Sequence, residues 1–150
     1  MSELTDLYNE IQVCQACILS QGRTNAVPGS GPEDAEIMFI GEGPGFHEDR
    51  QGEPFVGAAG KYLEELLEQI GIERNDVYIT NVVKCRPPGN RDPQPDEVSA
   101  CKTYLDKQID LIRPRLVVTL GRFSMQRYFP GASISRIHGQ PKRVGNVIYY

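Results

Sequence analysis

The sequence has no apolar run that approaches the roughly 20 residues needed to span a bilayer. Its amino end also lacks the charged, apolar and small-residue succession that directs secretion. A soluble, cytoplasmic protein is therefore expected, with no membrane partner. No internal repeat or low-complexity tract interrupts the 150 residues, which leaves a single domain as the default. Neither glycine pattern that cradles nucleotide phosphates occurs: there is no GxxxxGK[ST], and no GxGxxG with a distal acid. Histidine is limited to two residues and cysteine to four. Cytosolic thiols stay reduced, so four cysteines point to metal ligands or reactive thiols rather than disulfides.

Acidic charge is in slight excess, for a net −4 that by itself argues against nucleic acid. The distribution argues the other way. Through Val83 four basic residues face fifteen acidic ones, and from Lys84 onward twelve face five, so the halves carry −11 and +7. Such asymmetry points to a polyanion-binding face.

Apolar periodicity predicts a helix from Glu3 to about Val13 capped by Ser2, a second from Ala58 to Gly71, and a third from Pro95 to Ile112 that Pro114 ends. A short helix is expected over "GRFSMQRYF". Strands are expected at Glu36–Ile40, Val77–Val83, Leu116–Leu120 and in the final "NVIYY". Near-continuous apolar strands alternating with helices indicate an α/β fold, a three-layer α/β/α with a central four-stranded parallel sheet. Ligands of such sheets bind beyond the carboxyl ends of the strands. There the loop "GEGPGFHEDRQGEPFVG" and the pair Thr80–Asn81 should share a mouth.

Cys14 and Cys17 form a CxxC, and Cys85 and Cys101 are separated by fifteen residues. Four thiolates suit zinc or an iron–sulfur cluster. Only one close pair is present, where structural zinc usually brings two, and this tilts the reading toward a cubane cluster. The plainer alternative is a buried core thiol at Cys101 beside a Cys14/Cys17 redox pair.

These motifs, taken together with "GEGPG" (41–45), "EDRQGEPFVGAAG" (48–60) and "YITNVVKCRPPGNRDPQPDE" (78–97), span nearly the whole chain. In their joint occurrence the sequence resembles the family 4 uracil-DNA glycosylases, the iron–sulfur branch of that superfamily. The resemblance implies a DNA repair enzyme that hydrolyses the N-glycosidic bond of uracil in single- or double-stranded DNA. It also implies a structural [4Fe–4S] cluster on Cys14, Cys17, Cys85 and Cys101. A monomer is expected.

The chemistry assigns roles to individual residues. Cutting between uracil N1 and C1′ requires the nucleotide to leave the stack for a pocket. Phe55 is the expected platform for the base. Asn81 is the expected reader of its edge, accepting from N3–H and donating to O4, a pairing that cytosine reverses. Glu42 is the candidate to orient the attacking water and stabilise the cationic sugar, with Glu48 the second choice. Gly41, Gly43 and Gly45 would let backbone approach the substrate, and Pro44 would stiffen the turn. Between the last two cysteines, Arg86 and Arg91 are candidates for DNA phosphates together with Lys84. Arg122, Arg136, Lys142 and Arg143 are expected to extend that surface.

The family's second motif, a His-Pro loop toward the carboxyl end, has no counterpart here. His47 and His138 do not precede proline. The sequence is therefore expected to be truncated before that motif. A missing donor of this type costs roughly 2.7–4 kcal/mol, so a catalytically silent DNA- or uracil-binding module of the same fold is the alternative. His47 is expected to be a solvated partner of Glu48 and Asp49, and His138 a loop residue near the sheet edge.

Overall fold

A computed structural model describes residues 2–131, 139–144 and 147–150. Helix α1 (Glu3–Gln12) begins where Ser2 Oγ accepts the Thr5 N–H at 3.0 Å, and it buries Leu4, Leu7 and Ile11. Helix α2 (Leu19–Gly22) follows the CxxC. Strand β1 (Ile37–Gly41) leads into α3 (Phe46–Gln51) and α4 (Ala58–Gln69). After β2 (Tyr78–Asn81) come α5 (Pro95–Ile112), β3 (Leu116–Thr119) and α6 (Arg122–Tyr128). Strands β4 (Lys142–Val144) and β5 (Val147–Tyr149) complete the set. No helix among the described residues is long and apolar enough to cross a membrane.

The sheet order is β2-β1-β3-β5-β4. Its first four strands are parallel, as expected, and β4 is an antiparallel fifth at the edge. "KRV" has no alternating apolar pattern to announce a strand, and its exposed Lys142 and Arg143 are the kind of charge that protects an edge. Side chains alternate across β1. Met38 and Ile40 enter a core with α1 and α5, whereas Phe39 enters a second core with Leu63 and Leu67 of α4. This gives the three layers. Of the apolar residues on α4, only Leu63 and Leu67 are buried, and Tyr62, Leu66 and Ile70 remain exposed on a neighbouring stripe.

Register places the mouth. Gly41, the last residue of β1, pairs with Asn81, the last of β2. Everything after these two residues lies at the carboxyl end of the sheet.

Beneath that end runs a chain of buried polar groups. Lys84, 1 % exposed, donates from Nζ to Thr80 Oγ1 at 2.6 Å and to the Asn81 carbonyl and Gln108 Oε1 at 2.7 Å. Gln108 Nε2 donates to the Pro28 carbonyl and to Tyr78 Oη, and Tyr78 meets Tyr8 at 2.5 Å. Burial pulls the Lys84 ammonium down to about 7. The expected role of Lys84 at DNA is thus corrected, because its side chain is spent inside the fold. Lys84→Ala should destabilise the protein by roughly 1–3 kcal/mol, the cost of leaving a buried acceptor unpaired. Urea unfolding of both proteins checks this.

Candidate active site

Phe55 and Asn81 meet over Gly41. A β-carbon there would stand 2.5 Å from Phe55 Cζ and 2.6 Å from Asn81 Oδ1, so only glycine allows ring and amide to close on the strand end. Both line one cavity of about 440 Å³ with Glu42, Gly43, His47 and Ala59. Gly41 itself lies under the cavity rather than in its wall. Phe55 adopts φ of 53°, a conformation that costs a non-glycine residue about 1–3 kcal/mol. The surroundings hold it there: Arg74 donates to the carbonyls of Pro54 and Phe55, and Gly60 lets the first turn of α4 sit against the Phe55 backbone.

Glu48, which also lines the cavity, and the buried Asp49 both organise the loop. Glu48 Oε1 accepts from the Gly45 N–H at 3.0 Å, and Oε2 accepts from Val56 and Gly57 at 2.9 and 2.7 Å. Burial alone would raise the pKa of Glu48, but the bonds from Gly57, Val56, its own amide and Gly45 outweigh it and hold the carboxyl below the usual value. Asp49 is buried and accepts from the Thr24 and Asn25 amides. Both oxygens of Glu48 thus accept from backbone amides while its side chain borders this cavity and a smaller adjoining one, so its first task in the fold is to hold the loop. His47 therefore pairs with neither neighbour. It is exposed at the cavity, edge-on to Phe46 at 5.3 Å.

Glu42 remains available. Its Oε2 is buried without a hydrogen-bond partner among the described residues. Burial, then the nearby Asp92, raises its pKa, against a hydrogen bond from the Phe123 amide and the pull of Arg122. Gly121, with φ of 106°, allows the turn after β3 to come this close, because a β-carbon there would lie 2.5 Å from Glu42 Oε1. Glu42 also lines a second cavity of about 280 Å³ with Gly43, Pro87, Asn90 and Asp92. The carboxylate thus stands in the wall common to two adjoining spaces. Gly121 and Phe123 escaped the reading of the sequence, although a glycine directly after the buried run "LVVTL" was a signal for them.

The basic residues separate. Arg91 grips the buried Glu97 with both terminal nitrogens, at 2.8 and 2.7 Å, and still borders the second cavity. Glu97 also accepts the Gln94 amide, so this carboxylate holds the segment between Cys85 and Cys101 to α5. Arg86 donates from Nε to Asn90 Oδ1 at 2.8 Å near the mouth. Arg122 pairs with Asp92, while Lys142 and Arg143 belong to the opposite edge of the sheet. These residues do not form one continuous surface. Arg136 and His138 lie outside the described residues.

All four cysteines are free, with Cys85 and Cys101 buried and Cys14 and Cys17 half-buried. Cys17, Cys85 and Cys101 belong to one apolar cluster. Burial pushes the Cys85 thiol up against the pull of Arg23, whose Nη1 donates to Sγ at 3.1 Å, and the thiols of Cys17 and Cys14 add to the rise. Burial raises Cys101 to about 11 despite a bond from the Lys84 amide, with Cys85 and Cys17 adding to it. Tyr104 interacts with both Cys14 and Cys101. Cys85 thus lies within electrostatic reach of Cys14, Cys17 and Cys101, and the donor types fit a thiolate-bound group. No three metal-ligating side chains are drawn together as a ready-made single-ion site among the described residues.

The model of the uracil DNA glycosylase superfamily matches residues 28–149. Several curated relatives carry the name type-4 uracil-DNA glycosylase. That of Sulfurisphaera tokodaii is 53% identical over 93% of this chain and 66% of its own length. That of Archaeoglobus fulgidus is 54% identical over 93% and 73%. That of Saccharolobus solfataricus is 55% identical over 86% and 60%. The chain belongs to the type-4 uracil-DNA glycosylases. It spans about two thirds of the length of these relatives.

Within this glycosylase fold the Glu48 clasp is a stability element, and its sign with pH follows from its lowered pKa. Its contribution is present above the unfolded value of about 4.3 and is lost as pH falls through the lower folded value. Glu48→Ala should cost roughly 1.5–3 kcal/mol at neutral pH, the range for a hydrogen bond to a charged group. Denaturant midpoints measured against pH should show the gap between the two proteins narrowing in acid.

Proposed function

We propose that the chain removes uracil from DNA, with the extruded base in the larger cavity and its deoxyribose toward the smaller one. The reading rests above all on Phe55, Asn81 and Glu42 lining a single cavity. Uracil would stack on the Phe55 ring. Its N3–H would donate to Asn81 Oδ1, and Asn81 Nδ2 would donate to O4, which leaves cytosine with both partners reversed. Glu42 borders both spaces, where C1′ would sit. Its ionised carboxylate would hold the attacking water and stabilise positive charge developing on the sugar.

A [4Fe–4S] cluster on Cys14, Cys17, Cys85 and Cys101 belongs to this proposal. When bound, it would supply a rigid cross-link between the α1–α2 turn, the end of β2 and α5. The supporting observation is the set of four free thiols, three of which, Cys17, Cys85 and Cys101, belong to one apolar cluster. Purified protein should be brown and contain iron and sulfide in equal amounts; colourless protein carrying zinc would refute the cluster. The proposed partner is uracil-bearing DNA, met in the cytoplasm.

Uracil release from a labelled single strand tests the reaction itself. Asn81→Ala should slow release roughly 10- to 100-fold, the equivalent of about 1–3 kcal/mol. Glu42→Gln should slow it by roughly 10²–10⁴-fold. Because Glu42 must be ionised and its pKa is raised, the acid limb of kcat/KM should lie above about pH 4.3 and disappear in Glu42→Gln. A wild-type chain that binds the strand and releases nothing would favour the silent binding module instead.

A further inference from the structure

The arginines around the mouth differ in what occupies their guanidinium groups. Arg74 is tied to Glu64 and two backbone carbonyls, Arg91 to Glu97, and Arg122 to Asp92. Arg50 and Arg86 form no ion pair among the described residues. Both lie against one ring instead. Their guanidinium carbons are 5.4 and 5.5 Å from the centroid of Phe46, and so no more than about 11 Å from each other.

Phe46 is 46 % exposed and borders the larger cavity beside His47 and Asn90. A lone exposed phenylalanine needs no explanation. This one gathers two cations from separate segments, Arg50 from α3 and Arg86 from the loop after β2, at the rim of a space that fits a base. Arg86 spends only Nε on Asn90, one of five N–H donors. The ring's negative face attracts the guanidiniums and limits their rotamers, and their remaining N–H edges are the donors that phosphate oxygens take.

We infer that Phe46, Arg50 and Arg86 form a phosphate clamp that grips the DNA strand on either side of the extruded nucleotide. The clamp rests on the reading of the adjoining cavity as the site of the base. In it, Arg50 and Arg86 bind phosphates of one strand, and Phe46 is a positioning residue that holds both in place.

The test uses the whole chain and a uracil-free, fluorescent single-stranded oligonucleotide, with the dissociation constant followed against salt. Each neutralised phosphate contributes about 0.7 to the slope of log K on log salt. The Arg50→Ala and Arg86→Ala variants should each flatten the slope by about 0.7, and the double variant by about 1.4. Phe46→Ala should weaken binding roughly two- to fivefold at low salt, with Phe46→Tyr restoring it. Circular dichroism confirms that each variant is folded. An unchanged slope in the double variant, or unchanged affinity in Phe46→Ala, overturns the clamp. Uracil release by the wild type is measured in parallel. Release alongside an arginine-insensitive slope rejects the clamp and keeps the glycosylase reading. An arginine-sensitive slope without release does the reverse.

Discussion

The space left by the missing side chain of Gly41 is filled by the ring of Phe55 on one side and the amide of Asn81 on the other, each within 2.6 Å of where a β-carbon would stand. Parallel pairing sets Gly41 beside Asn81, and the return of the chain through α3 sets Phe55 over both. The rest of the mouth supports that contact. Arg74 holds the carbonyls of Pro54 and Phe55, Glu48 ties Gly45 to Val56 and Gly57, and Asp49 fastens α3 to Thr24 and Asn25. Three charged side chains thus work on backbone so that one aromatic can keep an unfavourable φ.

The cysteine corner and the mouth are joined through Lys84. Its ammonium holds the carbonyl of Asn81 and its amide donates to Cys101, while Cys85 is the next residue in the chain. A cation in this position is costly to bury and is tolerated because three acceptors converge on it. The end of β2 is braced from below by the lysine and from the side by the thiols. In the proposed reading, a cluster on these thiols would through this brace bear on the amide proposed to read the base.

The basic half of the chain divides along similar lines. Read along the sequence, it suggested one long surface for DNA. In the fold, Lys84 is internal, Arg91 and Arg127 are bound to carboxylates, and Lys142 and Arg143 stand at the far edge of the sheet. Arg50, from the acidic half, stands with Arg86 at the mouth. Charge counts along a chain cannot register pairing, because a partner such as Glu97 or Asp106 is set by helix packing.

By itself the sequence determined the layered α/β architecture and its parallel core strands, since apolar periods of two kinds and proline stops are local properties. It also singled out Phe55, Asn81 and Glu42, which the fold brings to one cavity, and the four cysteines, which the fold leaves free. The tertiary structure alone decided that Glu48 is a clasp, that Lys84 is buried, that β4 closes the edge, and that Glu42 keeps a free oxygen between two cavities. Those outcomes depend on which backbone amide, carbonyl or turn arrives from a distant part of the chain. No local pattern of residues encodes that arrival.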